Sequence, residues 1–162
     1  MSTTDERLLR YLVDASDKVE HVYEGIRSRY KQNHYAALRA VLVAAQEHQL
    51  IHPRVLHQML FNKTGMMQQG IEIEPGAYRQ RGVYIQRSSD PDDIHRFPHW
   101  ERLPALMLDW WRCVNSYMVL DLHRAASVFE FHAWFESIHP FIDGNGRVGR
   151  LVLWNMQAWI GH

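Results

Sequence analysis

The 162 residues predict one mostly helical domain that carries a single short β-hairpin. Three observations lead there. Apolar residues recur at three- and four-residue spacing through most of the chain, the period of a helix buried along one side. Only the stretch from 62 to 98 breaks that period, being rich in Gly, Gln, Asp and Pro. The composition, 46% hydrophobic and 22% charged with 9 Gly and 6 Pro, is that of a globular chain. A chain of this size buries roughly 68–70% of the surface its unfolded form exposes, so a core forms without disulfides or a structural metal. Disordered and collagen-like architectures are excluded.

Thr3 and Glu6 form a capping-box pattern, and Leu8, Leu9, Leu12 and Val13 follow at helical spacing. A second helical segment spans Lys18 to Arg29, with Val19, Val22, Tyr23 and Ile26 on one stripe and Glu20 and Glu24 on another face. Asn33 is the expected N-cap of a helix ending at Gln46, buried through Ala37, Leu38, Val41, Leu42 and Ala45. Pro53 opens a further helix that ends near Phe61. Two extended stretches, Gly70–Glu74 and Gly82–Gln86, flank Pro75-Gly76 and are expected to pair as a hairpin over 70–86. Pro104 starts a long helix to Leu120 carrying Leu106, Met107, Trp110, Trp111, Val114 and Met118. A helix–loop–helix is expected over 124–160, with helices from Arg124 to Ile138 and from Arg147 to Ile160, the last stopped by Gly161.

Charge and cysteine content narrow the function classes. The 18 Lys+Arg balance 18 Asp+Glu, so no overall field favours nucleic acid or anionic lipid. Cys113 is the sole cysteine, which excludes an intramolecular disulfide and a cysteine-based zinc site and fits a reducing, cytoplasmic setting. Residues 1–10 are polar and charged, and no apolar run approaches the roughly 18–20 residues of a membrane span. His95 and His99 are four apart, but the intervening Pro98 argues against a helical ligand pair and no third ligand of suitable spacing follows.

The segment that carries chemistry is His139-Pro140-Phe141-Ile142-Asp143-Gly144-Asn145-Gly146-Arg147-Val148-Gly149-Arg150. Gly144 and Gly146 let the backbone take positive φ and turn N–H groups toward one point, an anion nest at a helix N-terminus. Arg147 and Arg150, three apart in the first turns of that helix, can both grip phosphate oxygens. Asp143 offers the hard oxygen that Mg²⁺ takes when it bridges phosphates. His139 can accept a proton from a hydroxyl near neutral pH.

This segment resembles the signature of the Fic domain family, H-x-F-x-[D/E]-G-N-G-R-x-x-R, at every specified position from His139 to Arg150. Eight specified positions match a given window by chance on the order of 10⁻¹⁰. The resemblance extends over about residues 16 to 161. His132, Phe135 and Ile138 look like the helix entering the loop. Gly76, Tyr78 and Arg79 followed by Val83, Tyr84 and Ile85 look like the family's flap, the hairpin that docks a target segment.

The resemblance implies an all-α Fic-type domain with a small β-hairpin flap, acting as a protein adenylyltransferase. It would use Mg²⁺ and ATP, and its partner would be a target protein offering a Ser, Thr or Tyr hydroxyl. His139 would be the base, Asp143 the metal ligand, and Gly144, Asn145, Gly146, Arg147 and Arg150 the phosphate-binding residues, with Phe141 a core anchor. Removal of AMP, transfer of UMP or phosphocholine, and a catalytically silent nucleotide-binding module stay as alternatives. Oligomeric state is left open, a homo-oligomer included.

The family also contains members inhibited by a helix with [S/T]-x-x-x-E-[G/N], whose Glu meets the second motif Arg. Glu24-Gly25 in the N-terminal helices (residues 1–30) fits the end of that pattern but has Glu20 where Ser or Thr belongs. The other frame, Ser16 to Glu20, has the Ser but places His21 where Gly or Asn belongs. Glu24 is the preferred inhibitory residue. Many family members continue beyond the position of Gly161, which marks this chain as a minimal form or a fragment and Trp154 and Trp159 as candidates to be left uncovered.

Overall fold

The computed structural model describes residues 3–19, 27–68, 70–120 and 125–161. Six helices account for most of them: α1 (Thr3–Val19), α2 (Arg27–Gln46), α3 (Pro53–Phe61), α4 (Leu103–Val119), α5 (Ala125–Ile138) and α6 (Asn145–Ile160). Four short strands lie between α3 and α4: β1 (Met67–Gln68), β2 (Ile71–Glu72), β3 (Tyr84–Gln86) and β4 (Ile94–Arg96). The mostly helical class expected from the sequence is the one observed. The chain divides into two compact units, Met1–Ala77 with Gly146–His162, and Tyr78–Asn145.

In the first unit, Leu9, Val13 and Ser16 form the buried edge of α1, and Ala37, Leu38, Val41 and Ala45 that of α2. Leu56, Leu60 and Phe61 from α3 and Val148, Leu151, Val152 and Met156 from α6 complete the core. Polar side chains inside it hold the chain turns. Asn155, fully buried, donates from Nδ2 to Val41 O (3.0 Å) and Gln49 O (3.1 Å) and accepts from Ile51 N (2.9 Å), so α6 fastens the segment that joins α2 to α3. Asn33 is not the N-cap expected from the sequence, because α2 begins earlier, at Arg27. Its Nδ2 instead donates to Leu60 O and Asn62 O, each at 3.0 Å, which satisfies carbonyls at the end of α3. At the other end of α3, Pro53 sits in the first turn and His52 is the N-cap, its Nδ1 accepting from Arg54 N at 3.1 Å. Trp159 is only 9% exposed and lies edge-on to His48, so of the two tryptophans expected to be uncovered it is the buried one, while Trp154 is half-buried.

The expected hairpin across Pro75-Gly76 is not the pairing observed. β2 pairs backward with β1, and β3 pairs forward with β4 through Tyr84–Arg96, Ile85–His95 and Gln86–Ile94. The turn itself does form: Ala77 N donates to Glu74 O at 3.2 Å, with Pro75 and Gly76 in the middle and Gly76 at φ +80°, a type II turn. Its main chain is committed elsewhere, however. Gly76 N donates to His57 Nδ1 (2.8 Å) and Gly76 O accepts from Arg54 Nε (2.7 Å), so the turn is held on α3 and cannot close a ladder.

In the second unit, α4 buries Leu103, Met107, Trp110, Val114 and Met118 along one stripe, against Val128, Phe135 and Ile138 of α5. Trp110 Nε1 donates to Phe131 O at 2.9 Å. The β3–β4 hairpin turns through Asp90-Pro91-Asp92, where Asp92 N donates to Asp90 Oδ1 and Arg87 N to Asp93 O.

Gly76→Ala tests the turn on α3. A Cβ there would lie 3.1 Å from Arg54 O and 3.3 Å from Gln58 Cβ, on a backbone at φ +80°. The expected loss of stability is about 1–3 kcal/mol, read as a lowered midpoint in urea with an unchanged slope.

Candidate functional site

His139 follows the last residue of α5 and takes φ +51°, a left-handed conformation that is uncommon outside glycine, though Asn, Asp and His adopt it more often than other L-residues. Its N–H donates to Phe135 O at 3.1 Å, closing the helix as glycine ordinarily does at this position. The imidazole lies on the ring of Phe97, with centroids 4.0 Å apart and planes 16° from parallel. Below the loop, Phe141 is fully buried against Phe135 and Tyr78, the core anchor expected of it.

The loop from 141 to 145 is closed by one side chain. Asn145 is 3% exposed; its Oδ1 accepts from Phe141 N at 2.8 Å and its Nδ2 donates to Phe141 O at 2.9 Å. The Asn145 amide is thereby spent on loop shape, leaving its main chain for any ligand. Gly144 has φ +79°, whereas Gly146 is helical, so only the first of the two glycines uses its freedom to bend left-handed. Asp143 Oδ1 accepts from Gly144 N at 2.6 Å. A lone hard carboxylate beside main-chain N–H groups fits Mg²⁺, which takes one or two carboxylates and completes its shell with phosphate oxygens and water. Among the described residues no group of three or more His, Cys, Asp or Glu is gathered as a metal site.

α6 is one helix from Asn145 onward, so Arg147 and Arg150 fall in its first two turns. Within the first unit Arg147 is 2% exposed, its guanidinium carbon 5.1 Å from the Tyr30 ring centre and 5.6 Å from that of Phe61. These cation–π contacts hold the guanidinium by its flat face. Arg150 donates from Nε to Ser16 Oγ at 2.9 Å and from Nη2 to Ser16 O at 3.4 Å. Ser16 opens the Ser16–Glu20 frame; Glu20 and Glu24 both lie outside the described residues.

The expected docking residues divide. Tyr84 and Ile85, on β3, are 61% and 49% exposed, and Val83 and Tyr78 are half-buried. Gly76 is buried on α3 in the first unit. Arg79 is buried too and donates to carbonyls at 81, 98, 138 and 139, and burial lowers its pKa from the ordinary arginine value. Sequence reasoning missed the stacking of Phe97 on His139. Its only signal was an aromatic residue following the alternation of β4.

The chain matches the model of the Fic/DOC family over residues 47–156, more than half its length. It is 36% identical over 81 residues to a protein named protein adenylyltransferase Fic from Drosophila erecta, a match covering 50% of this chain and 15% of that protein. It is 35% identical over 85 residues to a Fido domain-containing protein from Dictyostelium discoideum, covering 51% of this chain and 54% of that one. The chain thus spans a small part of the fly relatives and about half of the amoebal one. A Fic domain-containing signalling protein from Bacteroides thetaiotaomicron shares the fold, with TM-score 0.73 at 18% identity over 98% of this chain and 65% of that one. A Fic family protein from Desulfovibrio desulfuricans aligns with TM-score 0.53 at 23% identity, over 93% of this chain and 46% of that one.

Asn145→Ala would leave Phe141 N and O without their side-chain partner in a buried loop. A loss of about 2–4 kcal/mol is expected, measured by thermal or urea unfolding, with Asn145→Asp less damaging because it keeps the acceptor for Phe141 N.

Proposed function

This chain belongs to the Fic/DOC family, and on that premise we propose that it is a protein adenylyltransferase, moving AMP from ATP to a hydroxyl side chain of another protein. The observation that carries the reading is the run from His139 to Arg150, with a base candidate held at a helix end and a phosphate-type loop leading into a helix N-terminus. Relatives named protein adenylyltransferase support it.

In this reading His139 takes the proton of the target hydroxyl as its oxygen bonds to the α-phosphorus. The bond from that phosphorus to the bridging oxygen breaks, and pyrophosphate leaves with the electron pair. Asp143 is the residue to hold Mg²⁺, which when bound neutralises charge on the phosphates. Main-chain N–H groups at Gly144, Asn145 and Gly146, with the positive end of α6, receive phosphate oxygens. Arg147, held against Tyr30 and Phe61, and Arg150 hold the β- and γ-phosphates so that the leaving group departs in line. The open edge of β3, with Tyr84 and Ile85 outward, suits an extended target segment that adds as a strand.

Inhibition is read from the Arg150–Ser16 contact. A serine already bonded to the second motif Arg supports the Ser16–Glu20 frame over the Glu24 frame, with a carboxylate competing for the guanidinium that the γ-phosphate needs. No helix among the described residues is long and apolar enough to cross a membrane. Together with the exposed thiol of Cys113, a cytoplasmic setting is the matching proposal.

The experiment that tests the assignment is label transfer from α-labelled ATP to proteins of a native lysate, followed by mass spectrometry. His139→Ala is expected to lower transfer by about 10²–10⁴-fold and leave Mg-ATP binding in place, whereas Asp143→Ala removes the Mg²⁺ dependence of binding. Wild-type transfer in His139→Ala defeats the role given to the base.

Glu20→Gly is expected to raise transfer about tenfold or more, as loss of an ion pair worth over 1.4 kcal/mol would, with Glu24→Gly near wild type. A larger gain from Glu24→Gly returns the role to that residue.

A further inference from the structure

Arg79 neighbours the exposed part of the flap in sequence, yet only 4% of it is exposed and its guanidinium faces carbonyl oxygens. Nε donates to His139 O at 2.8 Å, Nη1 to Arg81 O at 2.8 Å, and Nη2 to Pro98 O at 2.7 Å and Ile138 O at 3.5 Å. Its own main-chain N–H donates to Pro140 O at 2.9 Å. One residue therefore engages three successive carbonyls, those of Ile138, His139 and Pro140. The three come within reach of one residue where the main chain leaves the helix, at His139 with φ +51°. The carbonyls at the end of α5 lack helical partners and carry the negative end of its dipole, and a forked cation satisfies both needs at once.

The same guanidinium also holds the segment that carries the ring stacked on the imidazole. Pro98, whose carbonyl it holds, follows Phe97, whose ring stacks on His139. Phe97 is anchored at its own N–H, which donates to Val83 O at 3.3 Å. The main chain of His139 and the ring that limits its imidazole are thus tied to one side chain.

The geometry points to Arg79 as the positioning residue of His139, with Phe97 as the stop for its ring. The assignment rests on the reading of His139 as general base. Arg79 touches neither nucleotide nor target in it. Its loss lets the left-handed turn relax, which moves the imidazole off the line of proton transfer and leaves phosphate binding alone.

The test uses the full chain with Arg79→Met, Arg79→Lys and Phe97→Leu. The readouts are kcat, KM for ATP and KM for the protein target, the thermal midpoint, and the His139 imidazole resonances in histidine-labelled protein, identified by their loss in His139→Ala. In Arg79→Met, kcat is expected to fall about 10²-fold with KM for ATP changed less than about twofold, and the His139 resonances broaden or shift at a temperature where the protein is folded. Arg79→Lys recovers part of kcat, and Phe97→Leu loses about tenfold. Unchanged His139 resonances and kcat in folded Arg79→Met overturn the proposal. So does a loss confined to KM for the target, which marks a docking residue, or a loss that vanishes when the assay is cooled below the melting range. Should Arg79→Met fail to fold, Arg79→Lys and Phe97→Leu decide by the same criteria. A chain that transfers no AMP even with Glu20→Gly or Glu24→Gly removes the base reading, while the resonances still report whether Arg79 holds the turn.

Discussion

The chain has to leave α5 and enter a phosphate-type loop through a residue that carries an imidazole, and the backbone there must be left-handed. Glycine would bend at no cost but offers no side chain. A histidine at φ +51° carries strain of order 1–3 kcal/mol that the surroundings must offset. They do so with an N–H bond back to Phe135, a buried guanidinium on the freed carbonyls and an aromatic face under the ring. Several contacts of the second unit gather at that turn: Arg79 on the carbonyls of residues 138–140, Phe97 on the imidazole, and Phe141 buried two residues beyond.

Polar side chains play the equivalent part in the first unit. Buried Asn155 and His57 and half-buried Asn33 bond main-chain groups at the chain turns, among them Gln49 O, Ile51 N, Gly76 N and Leu60 O. Leaving such groups unpaired away from water costs more than the bonds themselves contribute, so these residues dictate where turns lie as firmly as the apolar core dictates where helices pack. Arg147 is held differently, as a buried cation against two aromatic rings.

What could be read from the sequence was what local chemistry decides. Pro53 marked the start of α3, and the α4 stripe of Met107, Trp110, Val114 and Met118 follows from spacing alone. The match from His139 to Arg150 was legible because it is contiguous. Pairing of the strands was not, because Pro75-Gly76 is a good turn whose main chain is taken by α3, and Asp90-Pro91-Asp92 is an equally good turn that closes the actual hairpin. Asn33 looked like a cap and is one, for a different helix. Arg79 beside Tyr78 read as surface; only its burial shows that its donors point inward.

α6 completes a unit whose other members all precede Tyr78, with residues 78–145 intervening. During synthesis, at roughly 5–20 residues per second, the roughly 70 intervening residues take about 3 to 14 seconds to appear. Through that interval the faces of α1, α2 and α3 that later meet α6 have no partner, and Val41 O and Ile51 N lack Asn155. Residues 3–77 therefore present an unfinished surface until α6 has been made.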